Sequence, residues 1–85
     1  MDNVKYDLEK IVKEIEKVTG QKAVKDQIFK TTYLIGHVEE ENLIDIGFKC
    51  FGNTNKAGFV TPLYKMGNIE AVFIEQVLHV AEVTA

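Results

Sequence analysis

Residue types that carry chemistry gather in "YLIGHVEEENLIDIGFKCFG", residues 33–52. His37 precedes Glu39, Glu40 and Glu41, and Cys50, the only cysteine, follows them. On a strand, residues two apart share a face, so His37, Glu39 and Glu41 would project together. An imidazole with two carboxylates is a workable set for a divalent metal. These three are the metal candidates. Against them stands a plainer reading, in which "EEEN" is the charged, solvated tip of a hairpin. No second cluster supplies further ligands, and His79 is far along the chain. On this reading no metal and no cofactor is expected.

Cys50 raises the question of a nucleophile, with His37 or His79 as its base. A reactive thiol needs an electropositive, accessible setting. The strand alternation instead puts Cys50 in register with Ile44, Ile46 and Phe48, on a buried face. There it acts as a small hydrophobe. His79, between Leu78 and Val80, reads as a partly buried histidine. No catalytic residue is assigned and a non-enzyme is expected. A small enzyme using Cys50 or the His37/Glu39/Glu41 group stands third among three readings.

The 85 residues suit one domain over 1–85. Apolar residues at 46% and charged residues at 27% are ordinary for a globular chain, which argues against disorder. No apolar run reaches the ~18 residues that span a bilayer. The opening "MDNVKYDLEK" is polar and charged, unlike a signal peptide. A lone cysteine agrees with a reducing compartment, so a cytoplasmic protein is expected, with no membrane partner. The formal net charge is -3. Nucleic-acid binders usually carry a basic excess, so nucleic acid is not the expected partner. The loop "FGNTNKAGF" lacks phosphate-cradle spacing and reads as a hairpin loop. Three Tyr and five Phe residues suit core better than base stacking, since no RNA-binding aromatic run accompanies them.

Residues 3–19 predict an amphipathic helix. Val4, Leu8, Ile11, Ile15 and Val18 form one stripe, widened by Val12. Asp2 or Asn3 is placed to cap it, and Gly20 to end it. Beyond Gly20, β-branched and aromatic residues predict strands over 27–38, 43–51, 58–65 and 71–83. The short connections "EEEN", "GNTNKA" and "MGN" require antiparallel pairing. Pro62 marks its strand as an edge or a break. Gly36, Gly47 and Gly58 suggest bends. The expected fold is α+β: a helix, then a strongly curved four-stranded antiparallel meander over 27–83, curling toward a small barrel.

The segment "EAVFIEQVLHVAEV" is apolar on both faces when read as one strand. Ala71, Phe73 and Val77 then share one face, and Val72, Ile74, Leu78 and Val80 the other. One helix covers only one face of an open sheet. A second face needs a curled sheet or another chain, so Phe73, Val77 and Ala71 are the interface candidates.

A helix followed by an antiparallel meander with glycine bends resembles the Sm-like barrels. "IGHVEEENLIDIGFK" is similar to their bent second and third strands, and "VFIEQVLHVAEV" to their closing pair. That resemblance implies a small Sm-like or SH3-like barrel that binds nucleic acid. "IEKVTGQKAV" is similar to the helix of phage uracil-DNA glycosylase inhibitors, but the match is a short helix with its glycine cap. Neither resemblance transfers a functional residue. The leading expectation is a non-enzymatic protein-binding or assembly module acting through its sheet. It would form a homo-oligomer, a dimer first, with a different protein as the other partner considered. Size and composition also suit a small phage or mobile-element protein. The nucleic-acid barrel is the second reading.

Overall fold

The computed structural model describes residues 5–29, 31–56 and 58–83. The chain runs α1 (Leu8–Thr19), β1 (Val24–Lys25), β2 (Thr32–Gly36), α2 (Glu40–Ile46), β3 (Lys49–Lys56), β4 (Phe59–Met66), β5 (Ile69–Ile74) and β6 (Val77–Glu82). Every strand pair is antiparallel, in the order β1-β2-β6-β5-β4-β3. The α+β class holds. The sheet has six strands and stays open, so the expected four-stranded meander and its closure into a barrel are both corrected.

Helix α1 forms where the 3.6-residue stripe predicts it. Leu8, Ile11, Val12 and Ile15 are buried along one side, while Val18 stays 45% exposed. The helix begins later than residue 3. Asp7 caps it, its carboxylate accepting from the Glu9 N–H at 3.0 Å. One residue earlier, the Tyr6 N–H donates to Asn68 Oδ1 at 2.6 Å, and Asn68 Nδ2 donates to the Tyr6 carbonyl at 3.1 Å. These two bonds hold the Tyr6 backbone against the turn at Asn68, just ahead of the cap. The expected caps Asp2 and Asn3, and Val4, lie outside the described residues. Gly20 ends the helix as expected, with its N–H on the Glu16 carbonyl at 2.8 Å.

Three expected strands are corrected. Residues 27–38 contain a turn and then β2, with β1 lying before them. The stretch 43–51 is not one strand: α2 occupies Glu40–Ile46 and β3 begins at Lys49. The chain enters α2 with the Glu39 N–H on Asn42 Oδ1 at 2.9 Å. Val38 and Leu43 are both buried in the core, at the positions of a hydrophobic staple. "EEEN" is therefore a helix start, not a hairpin tip. The stretch 71–83 folds back on itself as the end of β5, a two-residue turn and β6. The loop expected at 52–57 is mostly strand, since β3 runs on through Lys56. Pro62 lies in an inner strand, but the registered β4–β5 pairing begins one residue later, at Leu63.

The β5–β6 turn has both central residues left-handed, Glu75 at φ 52° and Gln76 at φ 70°. A two-residue turn of this hand matches the twist of the flanking strands and favours Asn-Gly. Neither Glu nor Gln adopts this conformation cheaply. Replacing both, Glu75→Asn with Gln76→Gly, is expected to stabilise the fold by about 1 kcal/mol. That is a rise in Tm of about 4–8 °C, readable by thermal unfolding. An unchanged or lower Tm would mean the turn carries no such strain.

Candidate interaction face

The fold-back at Glu75–Gln76 decides what each side of the sheet presents. Ile74 faces Val77 across the turn, and Phe73 faces Leu78. Directly opposed residues in an antiparallel pair lie on the same side. Hence Ile69, Ala71, Phe73, Leu78 and Val80 share one face, joined by Ile35 from β2 and by Tyr64 and Met66 from β4. Both helices pack here. The contiguous core joins Leu8, Ile11, Val12 and Ile15 of α1 and Leu43 of α2 to these residues, with Val38 and Phe48.

The other face carries Leu34, Leu63, Val72, Ile74, Val77, His79 and Ala81. None belongs to the core beneath the helices. Val72, at its middle, is only 7% exposed, and the other large apolar residues there are half-buried. Among the described residues no helix covers this side.

This corrects two of the three interface candidates. An unbroken strand would pair Val77 with Ala71 and Phe73, but two turn residues intervene and exchange the faces. Ala71 is fully buried in the core. Phe73 packs against the core and meets the Tyr64 ring edge-on, centroids 6.0 Å apart. Val77 alone stays on the open face, with Val72 and Ile74 as its companions in place of the other two.

His79 lies inside the open face, opposite Leu34 on β2 and Val72 on β5. Burial pushes its pKa below the ordinary imidazole value, and the nearby Asp26 carboxylate partly opposes that shift. This face also carries charge, including Glu70 on the central strand β5. On one side Lys49 lies opposite Lys65, whose ammonium is 3.8 Å from Glu70 and 5.6 Å from the Phe51 ring centroid. At the β1 side stands Asp26, holding the turn before β2 by accepting from the Ile28 N–H at 2.8 Å.

The other chemical candidates disperse. His37 is exposed with φ 56°, Glu39 precedes α2 and Glu41 lies within it. The strand that would have aligned them does not exist, so they share no face by alternation. Among the described residues no group of three or more His, Cys, Asp or Glu side chains converges. Cys50 is exposed, which overturns its expected place in the core. Ile44 and Ile46 are helical, so the register that buried it never forms, and β3 is the sheet edge.

Sequence reasoning missed the pair Tyr64 and Glu40. The Tyr64 hydroxyl donates to Glu40 Oε2 at 2.8 Å and ties α2 to β4. Burial, with the hydrogen bond to Glu40 and its charge next, pushes the phenol up to about 12. A phenol held neutral in this way is a structural donor at neutral pH. A cleft of about 460 Å³ between α1 and the β1–β2 end is lined by Lys5, Lys25, Glu9, Glu82, Tyr6 and Tyr33 among others. Its mixed charges select no ligand.

No protein-family model, no curated protein and no solved structure matches the chain. The open sheet face is the feature that the chain's own residues single out.

Proposed function

We propose that this chain is a non-enzymatic assembly module that pairs with a second copy of itself through the open face of its sheet. One observation carries this reading: both faces of the sheet carry clustered apolar side chains, the open one with charged and polar residues among them, and both helices lie on the same face. Soluble monomers seldom leave a contiguous apolar patch of a few hundred Å² uncovered. Closed two-fold pairs are the commonest resolution.

Size and charge both suit a second copy. Strands ~4.8 Å apart and ~20 Å long give a six-stranded face roughly 500 Å² in extent. Two such faces bury about 1,000 Å², the lower bound for a specific interface. A two-fold axis parallel to the strands reverses the strand order between copies. The Lys49 and Lys65 flank of one copy then lies over the Asp26 flank of the other. Opposite charges at the rim set register more than strength.

The second reading, a barrel that binds nucleic acid, has lost its closed sheet, and the chain keeps a net charge of -3. The exposed thiol of Cys50 fits work in a reducing compartment, so we place the module in the cytoplasm.

The test is mass in solution. The expected value is twice the 9.6 kDa of the chain. Ile74→Glu or Val77→Glu is expected to halve it while far-UV circular dichroism stays unchanged, since an unpaired charge would enter the interface. Phe73→Glu is not the equivalent probe, because it attacks the covered core. A wild-type monomer at high concentration would overturn this reading and leave the face to a different protein.

A further inference from the structure

Where the pairing axis falls has a chemical consequence. In the order β1-β2-β6-β5-β4-β3 the midpoint lies between β6 and β5. His79 on β6 and Val72 on β5 are directly opposed across that midpoint. An axis parallel to the strands through this point would lay each His79 near Val72 of the second copy and bring the two imidazoles close to one another. Building on the pairing reading, we propose that His79 makes the assembly pH-sensitive: two copies associate while both imidazoles are neutral and separate once these are protonated.

The surroundings of His79 support neutrality in the pair. From β2 it meets Leu34, with Thr32 beyond, and from β5 it meets Val72. Neither of these neighbours offers a charge. The carboxylates in reach are Asp26, in the turn before β2, and Glu70, further along the same face of β5. Glu70 is already engaged with Lys65. Asp26 favours the imidazolium in the single chain. In the pair it would lie under the lysine flank of the second copy, so its help is shared. Two imidazolium ions close together in an apolar contact add repulsion to the desolvation each suffers.

The direction follows from linkage. A histidine whose pKa is lowered by burial contributes its stabilisation above its ordinary value of ~6.5 and loses it as pH falls. Pairing removes more water from the ring and lowers the value further, so acid favours separate chains. Each unit of further lowering weakens association tenfold per imidazole in acid, so two copies stand to lose up to about a hundredfold. The only other histidine, His37, is exposed on the turn after β2.

Sedimentation equilibrium at pH 7.5 and pH 5.5 tests the proposal, with circular dichroism at both to follow the fold. The expected result is a dimer at pH 7.5 and a dissociation constant at least ~10-fold higher at pH 5.5. His79→Leu should remain dimeric at both pH values, and His37→Asn should behave as wild type. A wild-type dimer equally tight at both pH values overturns the proposal and leaves the pairing reading standing. So does a pH dependence that survives in His79→Leu, or one that accompanies loss of the circular dichroism signal. A monomer at both pH values sinks the pairing reading and this proposal together.

Discussion

Phe48→Ala is expected to cost about 3–5 kcal/mol of folding stability. Phe48 is only 1% exposed and belongs to the contiguous core shared by α1, α2 and the covered face of the sheet. It stands at the elbow where α2 gives way to β3, with its N–H on the Leu43 carbonyl at 3.0 Å. Truncation removes a ring's worth of apolar contact and leaves a cavity that rigid strands on one side and helices on the other cannot collapse into. Small domains are stable by only about 5–15 kcal/mol, so this loss takes a large share of the total. Urea unfolding would measure it, at a fixed protomer concentration because any pairing would add to apparent stability. A cost below about 1 kcal/mol would mean that the core does not rest on this ring.

Gly47→Ala is expected to cost about 3 kcal/mol, through the backbone and the packing together. Gly47 has φ 131°, and its N–H bonds the carbonyls of Leu43 and Ile44 at 3.2 and 3.1 Å. That φ is hard for any residue with a Cβ. A Cβ placed there would also meet Met66 Sδ at 2.9 Å. The thioether can shift, but the backbone angle cannot relax without moving α2 or β3. Because the same residue ends the helix and aims β3 at β4, the variant should also weaken the Tyr64–Glu40 hydrogen bond between those elements. The same unfolding experiment reads the cost. A variant within about 0.5 kcal/mol of wild type would mean that the elbow tolerates a side chain.

Some of the fold was legible in the residues. The α1 stripe repeats over three turns, and such a pattern reports burial along one element regardless of what packs on it. Residues 58–65 read as a strand and the structure has β4 at Phe59–Met66, followed by the "MGN" turn. The richness of 71–83 in apolar residues on both sides was also legible. It pointed to a second apolar side, and among the described residues no helix lies on that side of the sheet.

What was not legible depended on contacts distant in sequence. Helix α2 has seven residues, too few for a period to emerge, and only Leu43 in it is buried. Its signals were the spacing of Glu39 to Asn42 and of Val38 to Leu43, and the run of isoleucines outweighed them. The β5–β6 turn holds no glycine, asparagine, aspartate or proline. Pairing of β5 with β4 and of β6 with β2 forces Glu75 and Gln76 into a hand they would not choose. That turn exchanged the faces beyond it, moving Phe73 and Ala71 inside and leaving Val77 outside. Cys50 followed the same logic, since the helix that replaced its strand neighbours left it exposed on an edge. Alternation states that a strand has two faces. Which one is covered is decided by where the chain reverses, and the pairing of strands sets that reversal over the preference of the residues that make it.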